Sequence, residues 1–302
     1  KMITICLAQF TEGPWVKVIT NVFNKALSFY NKEFKTEVIF GYPQKNYDII
    51  ILTGIRPIVK QNLDVKKILP YCKKLIDMGD SSMDPRRNCE DLYFYFLKSS
   101  KKLHNHYTYL PKPIITDHLF PEKYNDGLLT IYVDHFKYQN EKEREITINA
   151  INKIFFSIKN STIPLRVFYH TSKGIELNKL SPEITNSKAQ IAKYLPYKEI
   201  AKYYRKTDVF FPTHRETQGM VAQEIAICGG ITVLQPWMYP KVTHNEFAHI
   251  LYNQQDEIDF LSISNQLKKL SPALIREHAL KNCNLDKFKN ALYDAIIKLI
   301  KK

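Results

Sequence analysis

Apolar residues recur along the chain in short blocks separated by stretches of helical periodicity. Blocks at 4–8, 37–40, 48–53 (DIIILT), 75–78 and 92–96 (LYFYF) end in glycine, proline or polar clusters, which predicts buried strands. Between the first two, a Phe10-Thr-Glu-Gly-Pro14 turn leads into an amphipathic helical pattern over 15–30. Two prolines in Leu110-Pro-Lys-Pro113 interrupt regular structure and mark a boundary. A second series follows: a strand at 128–133, a helix over 143–158, a strand at 165–169, a helix over 198–205 and a strand at 208–211. A helix then opens after Gly219, a strand follows at 231–234, and the chain closes on the amphipathic basic helix LDKFKNALYDAIIKLIKK. Strands alternating with helices predict an α/β protein with two doubly wound parallel sheets, over 1–113 and 114–284, and a terminal helix at 285–302. Two such domains on a short linker leave a cleft, and ligands bind at the carboxyl ends of their strands.

Composition narrows the class. A hydrophobic content of 44% with 13% aromatic residues supports two real cores in 302 residues. Five cysteines (Cys6, Cys72, Cys89, Cys228, Cys283) are scattered and form no C-x-x-C pair, which suits isolated thiols in a reducing compartment. No signal-peptide pattern and no apolar run of roughly 18 residues is present, so the expected location is the cytoplasm. The formal charge of +14 favours a polyanionic partner, although a lysine-rich bias from an AT-rich genome inflates it. Residues 1–115 hold 18 Lys+Arg against 10 Asp+Glu, so the excess is denser in the first third.

The segment HRETQGMVAQEIAICGG at 214–230 carries the most specific chemistry. It follows an apolar block and opens a helix at a glycine turn, an arrangement whose unpaired N–H groups and helix dipole attract anions. Glu216 and Glu224 flank that turn. Carboxylates beside a phosphate site repel phosphate unless they face hydroxyl groups, as they would on a ligand with a central diphosphate and hydroxyl-rich rings at both ends. Nucleotide-sugars have that shape. The bland alternative makes Glu216 a helix cap and Glu224 a solvated helix residue.

The order Pro212, Glu216, Gly219, Glu224, Ala226, Gly229 resembles the E-x7-E donor segment of the large "group 1" family of retaining glycosyltransferases with the GT-B fold. Residues 109–123 resemble that family's inter-domain linker, 128–143 the strand and loop opening its second domain, and the last helix the one crossing back to the first domain. The resemblance implies a metal-independent transferase whose nucleotide-diphosphate sugar, of UDP-glucose type, is a co-substrate, with no other cofactor. It places Glu216 on the sugar hydroxyls, the Gly219, Met220 and Val221 amides on the diphosphate, and Glu224 on the ribose diol. Gly219 and Glu224 are five residues apart, roughly 7.5 Å at about 1.5 Å per helical residue, which matches the step from pyrophosphate to ribose. The family's diphosphate-neutralising Arg and Lys fall near His135, Lys137 and Lys142, and a cation is chemically required there. Tyr194 and Leu195 take the place of the nucleobase loop, or pack as core. Gly13 sits where a glycine-rich loop approaches the donor. Asp77 or Asp80 would orient an acceptor hydroxyl, or act as a turn or cap residue. The sequence departs from the family at Thr53-Gly-Ile-Arg56, where a histidine is usual.

Other classes lack their signatures: there is no D-x-D, no G-x-G-x-x-G, no P-loop and no zinc-type histidine spacing. The acceptor is read from charge. A basic first domain interleaved with Phe10, Trp15, Tyr93 and Tyr107 suits DNA, with a hydroxymethylated base as acceptor, flipped from the stack as in a phage-type DNA glycosyltransferase. The alternatives are an enzyme building a lipid-linked or cell-surface glycan on an anionic membrane, and a non-catalytic nucleic-acid-binding scaffold. No protein partner is inferred.

Overall fold

The apolar blocks become the strands of two fully parallel sheets. The computed structural model describes residues 2–10, 14–53, 63–78, 91–95, 107–110, 114–133, 141–170, 190–191, 195–213, 220–234, 250–252, 257–283 and 285–301. Residues 1–115 with 283–302 form one unit, and residues 116–282 form the other.

In the first unit the strands are β1 (Ile3–Gln9), β2 (Phe34–Phe40), β3 (Tyr47–Leu52), β4 (Cys72–Met78), β5 (Leu92–Tyr95) and β6 (Tyr107–Tyr109). Their order is β2-β1-β3-β4-β5-β6. Helix α1 (Pro14–Ser28) joins β1 to β2. β3 is buried almost throughout and β4 over its last four residues, and those are the stretches that read as apolar runs. β2 begins three residues before the expected 37, and the reason is local. Phe34 is buried beneath Tyr30, and the Thr36 hydroxyl donates to Asn24 Oδ1 on α1 at 2.9 Å.

The second unit holds β7 (Leu129–Val133), α2 (Glu141–Lys159), β8 (Leu165–His170), β9 (Gln190–Ile191), α3 (Tyr197–Lys206), β10 (Val209–Phe211) and α4 (Met220–Ile227). It continues with β11 (Ile231–Leu234), β12 (Ile250–Tyr252), α5 (Phe260–Leu267) and α6 (Pro272–Asn282). The order β12-β11-β10-β7-β8-β9 is the Rossmann arrangement, reversing direction between β7 and β10. The last helix, α7 (Leu285–Ile300), returns to the first unit. Its buried stripe Phe288, Leu292, Ile296 and Leu299 has helical spacing. Phe288 meets Phe23 of α1 edge-on at 5.0 Å, and Tyr293 stacks on Tyr30 at 4.3 Å.

Both sheets use one device at the amino ends of their central strands. Asp48 Oδ2 accepts from the Thr4 backbone N–H and hydroxyl, each at 2.9 Å, tying β3 to β1. Asp208 Oδ2 accepts from the Thr130 N–H at 2.9 Å, tying β10 to β7. A carboxylate fits because these first N–H groups lie beyond the regular ladder and need an acceptor. The Lys73 ammonium, 2.7 Å from Asp48, together with the Thr4 donors holds the Asp48 carboxyl down at about 2, below its ordinary 3.8. A depressed carboxyl contributes stability above its unfolded pKa and loses it as pH falls through the folded value. Asp48→Asn therefore costs about 1–2 kcal/mol at pH 7. The gap to the parent narrows between pH 4 and 2, as urea denaturation at both ends of that range will show.

Among the described residues no helix is long and apolar enough to cross a membrane.

Candidate functional site

The direction reversal in the second sheet puts the carboxyl ends of β7 and β10 side by side, with Phe211 paired to Val133. In open α/β sheets that crevice is where ligands bind. Two helices start on this rim, α2 after β7 and α4 after β10. Buried Pro212 and Thr213 follow β10, and the described part of the segment singled out in the sequence begins at Met220 with α4, the helix after the switch-point strand.

Helix α4 is anchored at its far end. Gly230 N–H donates to Ile225 O and Gly229 N–H to Ala226 O, both at 2.9 Å, with Gly229 at φ +77°. This is a Schellman ending, so the Ala226-x-x-Gly229 pattern is a helix stop in physical terms. Arg276 Nη1 of α6 adds a bond to Ile227 O at 2.6 Å and another to Leu119 O at 2.5 Å. A guanidinium on terminal carbonyls also complements the helix dipole.

Six of the eight α4 residues are buried, Glu224 among them at 5% exposure. The solvated-helix alternative for Glu224 is thereby overturned, since a buried carboxylate needs partners. The Tyr197 phenol, on the first residue of α3, lies close enough to feel the Glu224 charge. Burial first, and the adjacent Glu224 charge second, push the Tyr197 phenol far above its ordinary value. It thus remains a neutral donor. Tyr197 was missed in the sequence, although Leu195 was named two positions earlier. The available signal was an acid inside the otherwise apolar MVAQEIAI, which demands a nearby hydroxyl or cation.

Several of the named residues are among those the structure describes. Met220 and Val221 are half-buried in the first turn of α4, one turn before Glu224. Leu195 is half-buried and leads through Pro196 into Tyr197. Lys142 is the second residue of α2, so its backbone belongs to the helix that starts on the β7 rim. Gly13, Asp80, His135, Lys137, Tyr194, Glu216 and Gly219 lie outside the described residues, as does the Lys142 side chain. Asp77 is buried at the penultimate position of β4, near the carboxyl rim of the first sheet.

A further cation was not anticipated. The half-buried Lys123 ammonium bonds Thr207 O and sits 3.8 Å from Asp208. Burial pulls Lys123 down to about 8 against the pull of Asp208, and burial raises Asp208 despite Lys123. Desolvation outweighs attraction for both members, so the pair serves position more than net stability. It holds the 116–123 strap against the end of α3, where Glu122 N–H also donates to Arg205 O at 3.0 Å.

No family model and no curated protein matches this sequence. Solved structures do match over their whole length. A glycosyltransferase from Rickettsia africae is 12% identical with a TM-score of 0.68, covering 100% of this chain and 99% of its own. HepE from Anabaena, solved in complex with UDP and glucose, is 10% identical with a TM-score of 0.64, covering 98% and 100%. UDP-GlcNAc 2-epimerase from Neisseria meningitidis, bound to UDP-GlcNAc, is 8% identical with a TM-score of 0.59, covering 98% and 100%.

The fold is GT-B. Its two Rossmann-like units are the two parallel sheets described above. Among the matched GT-B structures are both transferases and epimerases, so the fold alone does not choose a reaction. The choice falls to the side chains at the β7/β10 crevice.

Proposed function

We propose that this protein is a retaining glycosyltransferase that takes its sugar from a nucleoside diphosphate sugar bound by the second unit. The observation that carries the reading is Glu224: a buried carboxylate one turn into the helix that follows the strand at the topological switch point. A buried acid near a helix N-terminus suits a ribose diol, which supplies two donors and no charge. UDP and UDP-sugar complexes among the matched structures support a donor of this class. Glu216 would then hold the sugar hydroxyls and the amides from Gly219 to Val221 the diphosphate. Lys137 or Lys142, with His135, would offset the charge on the leaving group, and Leu195 with Tyr194 would flank the base. Gly13 would approach the donor from the first unit. In the transfer the bond from the sugar's anomeric carbon to the diphosphate breaks, its electron pair leaving with the diphosphate. The acceptor oxygen bonds to that carbon on the same face and passes its proton to the departing diphosphate. This route needs no protein nucleophile and no metal.

For the acceptor we propose a hydroxymethylated base in DNA, with Asp80 beside its hydroxyl. The support is the charge distribution. Residues 1–115 and 283–302 hold 23 Lys+Arg against 12 Asp+Glu, whereas residues 116–282 hold 21 against 18. A polyanion is attracted to the first unit far more than to the second. The test is to incubate labelled UDP-glucose and other nucleotide-sugars with hydroxymethylcytosine DNA, plain DNA and an anionic lipid extract. Label on hydroxymethylated DNA alone is expected. Label confined to lipid overturns the acceptor but keeps the transferase, and an epimerised free nucleotide-sugar overturns the transferase. No donor turnover with intact DNA binding indicates a scaffold.

A further inference from the structure

We propose that two copies of this chain pair through the outer edge of β2, antiparallel and about a two-fold axis at Thr36, joining their first sheets into one. β2 is the end strand of the first sheet, and four of its side chains, Lys35, Glu37, Val38 and Phe40, are exposed. Val38 and Phe40 stand 42% and 63% exposed, an apolar pair on the kind of free edge that natural proteins normally blunt.

The backbone fixes which groups face outward. Ile3 N–H donates to Glu33 O at 2.8 Å, and Gly41 N–H donates to Gln9 O at 2.7 Å. In a parallel pair the residues that bond the neighbouring strand alternate, so the odd-numbered positions of β2 serve β1. Thr36, Val38 and Phe40 turn their N–H and C=O groups away from it. Phe34 turns only its carbonyl outward, because its N–H is taken by Tyr30 O at 2.8 Å. Among the described residues no strand lies on that side. These groups are met by water in the single chain and by a strand in the pair.

The side chains select the partner. Lys35-Thr36-Glu37 is its own charge complement when read in the opposite direction. With Thr36 facing Thr36, each Lys35 stands opposite Glu37 of the second copy, and each Val38 opposite Phe34. Thr36 exchanges both backbone bonds with its counterpart, and the Val38 N–H donates to the outward Phe34 carbonyl of the other copy. Side chains stay on their own faces, since this pairing joins even positions to even and odd to odd. Glu37, 2.6 Å from Lys45 of its own chain, then lies between two ammonium groups. Other registers lose the match. Centring on Lys35 or Glu37 sets like charges opposite each other, and centring on Val38 sets Lys35 against Gly41 and Glu37 against Ile39. Phe34 cannot be the centre, because its N–H is already bonded. A two-fold contact closes on itself, so association stops at a dimer.

Sedimentation equilibrium of the full chain at protein concentrations of about 1–100 µM reads the pairing. The parent is expected to dimerise within that range, as suits an edge contact smaller than a standard interface. Lys35→Glu and Glu37→Lys, each alone, set like charges opposite each other and are expected to weaken the dimer at least about tenfold. Mixed together, the two variants present opposite charges at both facing positions and are expected to pair with each other as strongly as the parent pairs with itself. Both side chains are exposed, so either reversal leaves the fold intact, which thermal melts verify. Val38→Pro removes an outward N–H and spares the ladder to β1, so it is expected to be monomeric with the parent's melting temperature. A parent that stays monomeric throughout overturns the proposal. A dimer indifferent to all three substitutions overturns it as well, because its contact then lies elsewhere on the chain. So does a mixture of the two charge variants that fails to pair.

Discussion

Glu224→Ala is expected to weaken binding of the nucleotide-sugar about 10- to 100-fold while DNA affinity stays within about twofold of the parent. The lower figure corresponds to one charged hydrogen bond to a ribose hydroxyl, and the upper to two. The division between donor and acceptor rests on the two units being separate bodies of very different charge. Glu224 lies in the second, while the basic excess lies in the first. Alanine also opens a small cavity at this buried position, so a loss of thermal stability accompanies the loss of affinity. Glu224→Gln separates the two effects. It keeps the volume of the side chain, so stability is largely restored while the donor affinity is not. Calorimetry with UDP-glucose and fluorescence anisotropy with a labelled oligonucleotide give both numbers. Equal collapse of donor and DNA binding in both variants would show that the charge-based division is wrong.

How much of this was legible in the sequence differs between the sheet centres and their edges. The central strands announce themselves because burial on both faces leaves little room for polar residues, as in YDIIIL and ITVL. The missed strands β6, β9 and β12 are two or three residues long, too short for any periodicity. Helices α5 and α6 were missed despite readable caps. Asp259 accepts from Ser262 N–H at 3.0 Å, and Ser271 accepts from Ala273 N–H beside Pro272 at the first helical position. Helix α5 is only eight residues long and α6 has a weak apolar face, so a reading by hydrophobic pattern passed over them while a reading by caps would have found them. At the site, the E-x7-E spacing gave the position of Glu224, but Tyr197 is 27 residues away in the chain. Such a partner becomes visible only when the β10 crossover lays α4 beside α3.

Gly229→Ala is expected to cost about 3–4 kcal/mol, roughly a 10 °C loss in melting temperature for a unit of this size. Two independent penalties combine there. At φ +77° any side chain pays about 1 kcal/mol. The added Cβ would also stand 2.7 Å from Pro272 Cβ and 2.8 Å from Pro272 O, at the start of α6. Gly127 isolates the first penalty, because its φ is +79° and nothing lies within 4 Å of a Cβ built on it. Gly127→Ala should therefore cost only about 1 kcal/mol. Relief by movement is blocked around Gly229, since Arg276 on α6 binds both the end of α4 and the 116–123 strap. A shift of α6 would strain those bonds, and a shift of α4 would displace Glu224 from Tyr197. The substitution should then weaken UDP affinity as well, although Gly229 lies at the opposite end of α4 from the proposed diphosphate contacts. Thermal melts of the two alanine variants, with UDP titrations below the transition, test the argument. Equal destabilisation by both would mean that the Pro272 contact relaxes freely, and that the glycine serves only the turn.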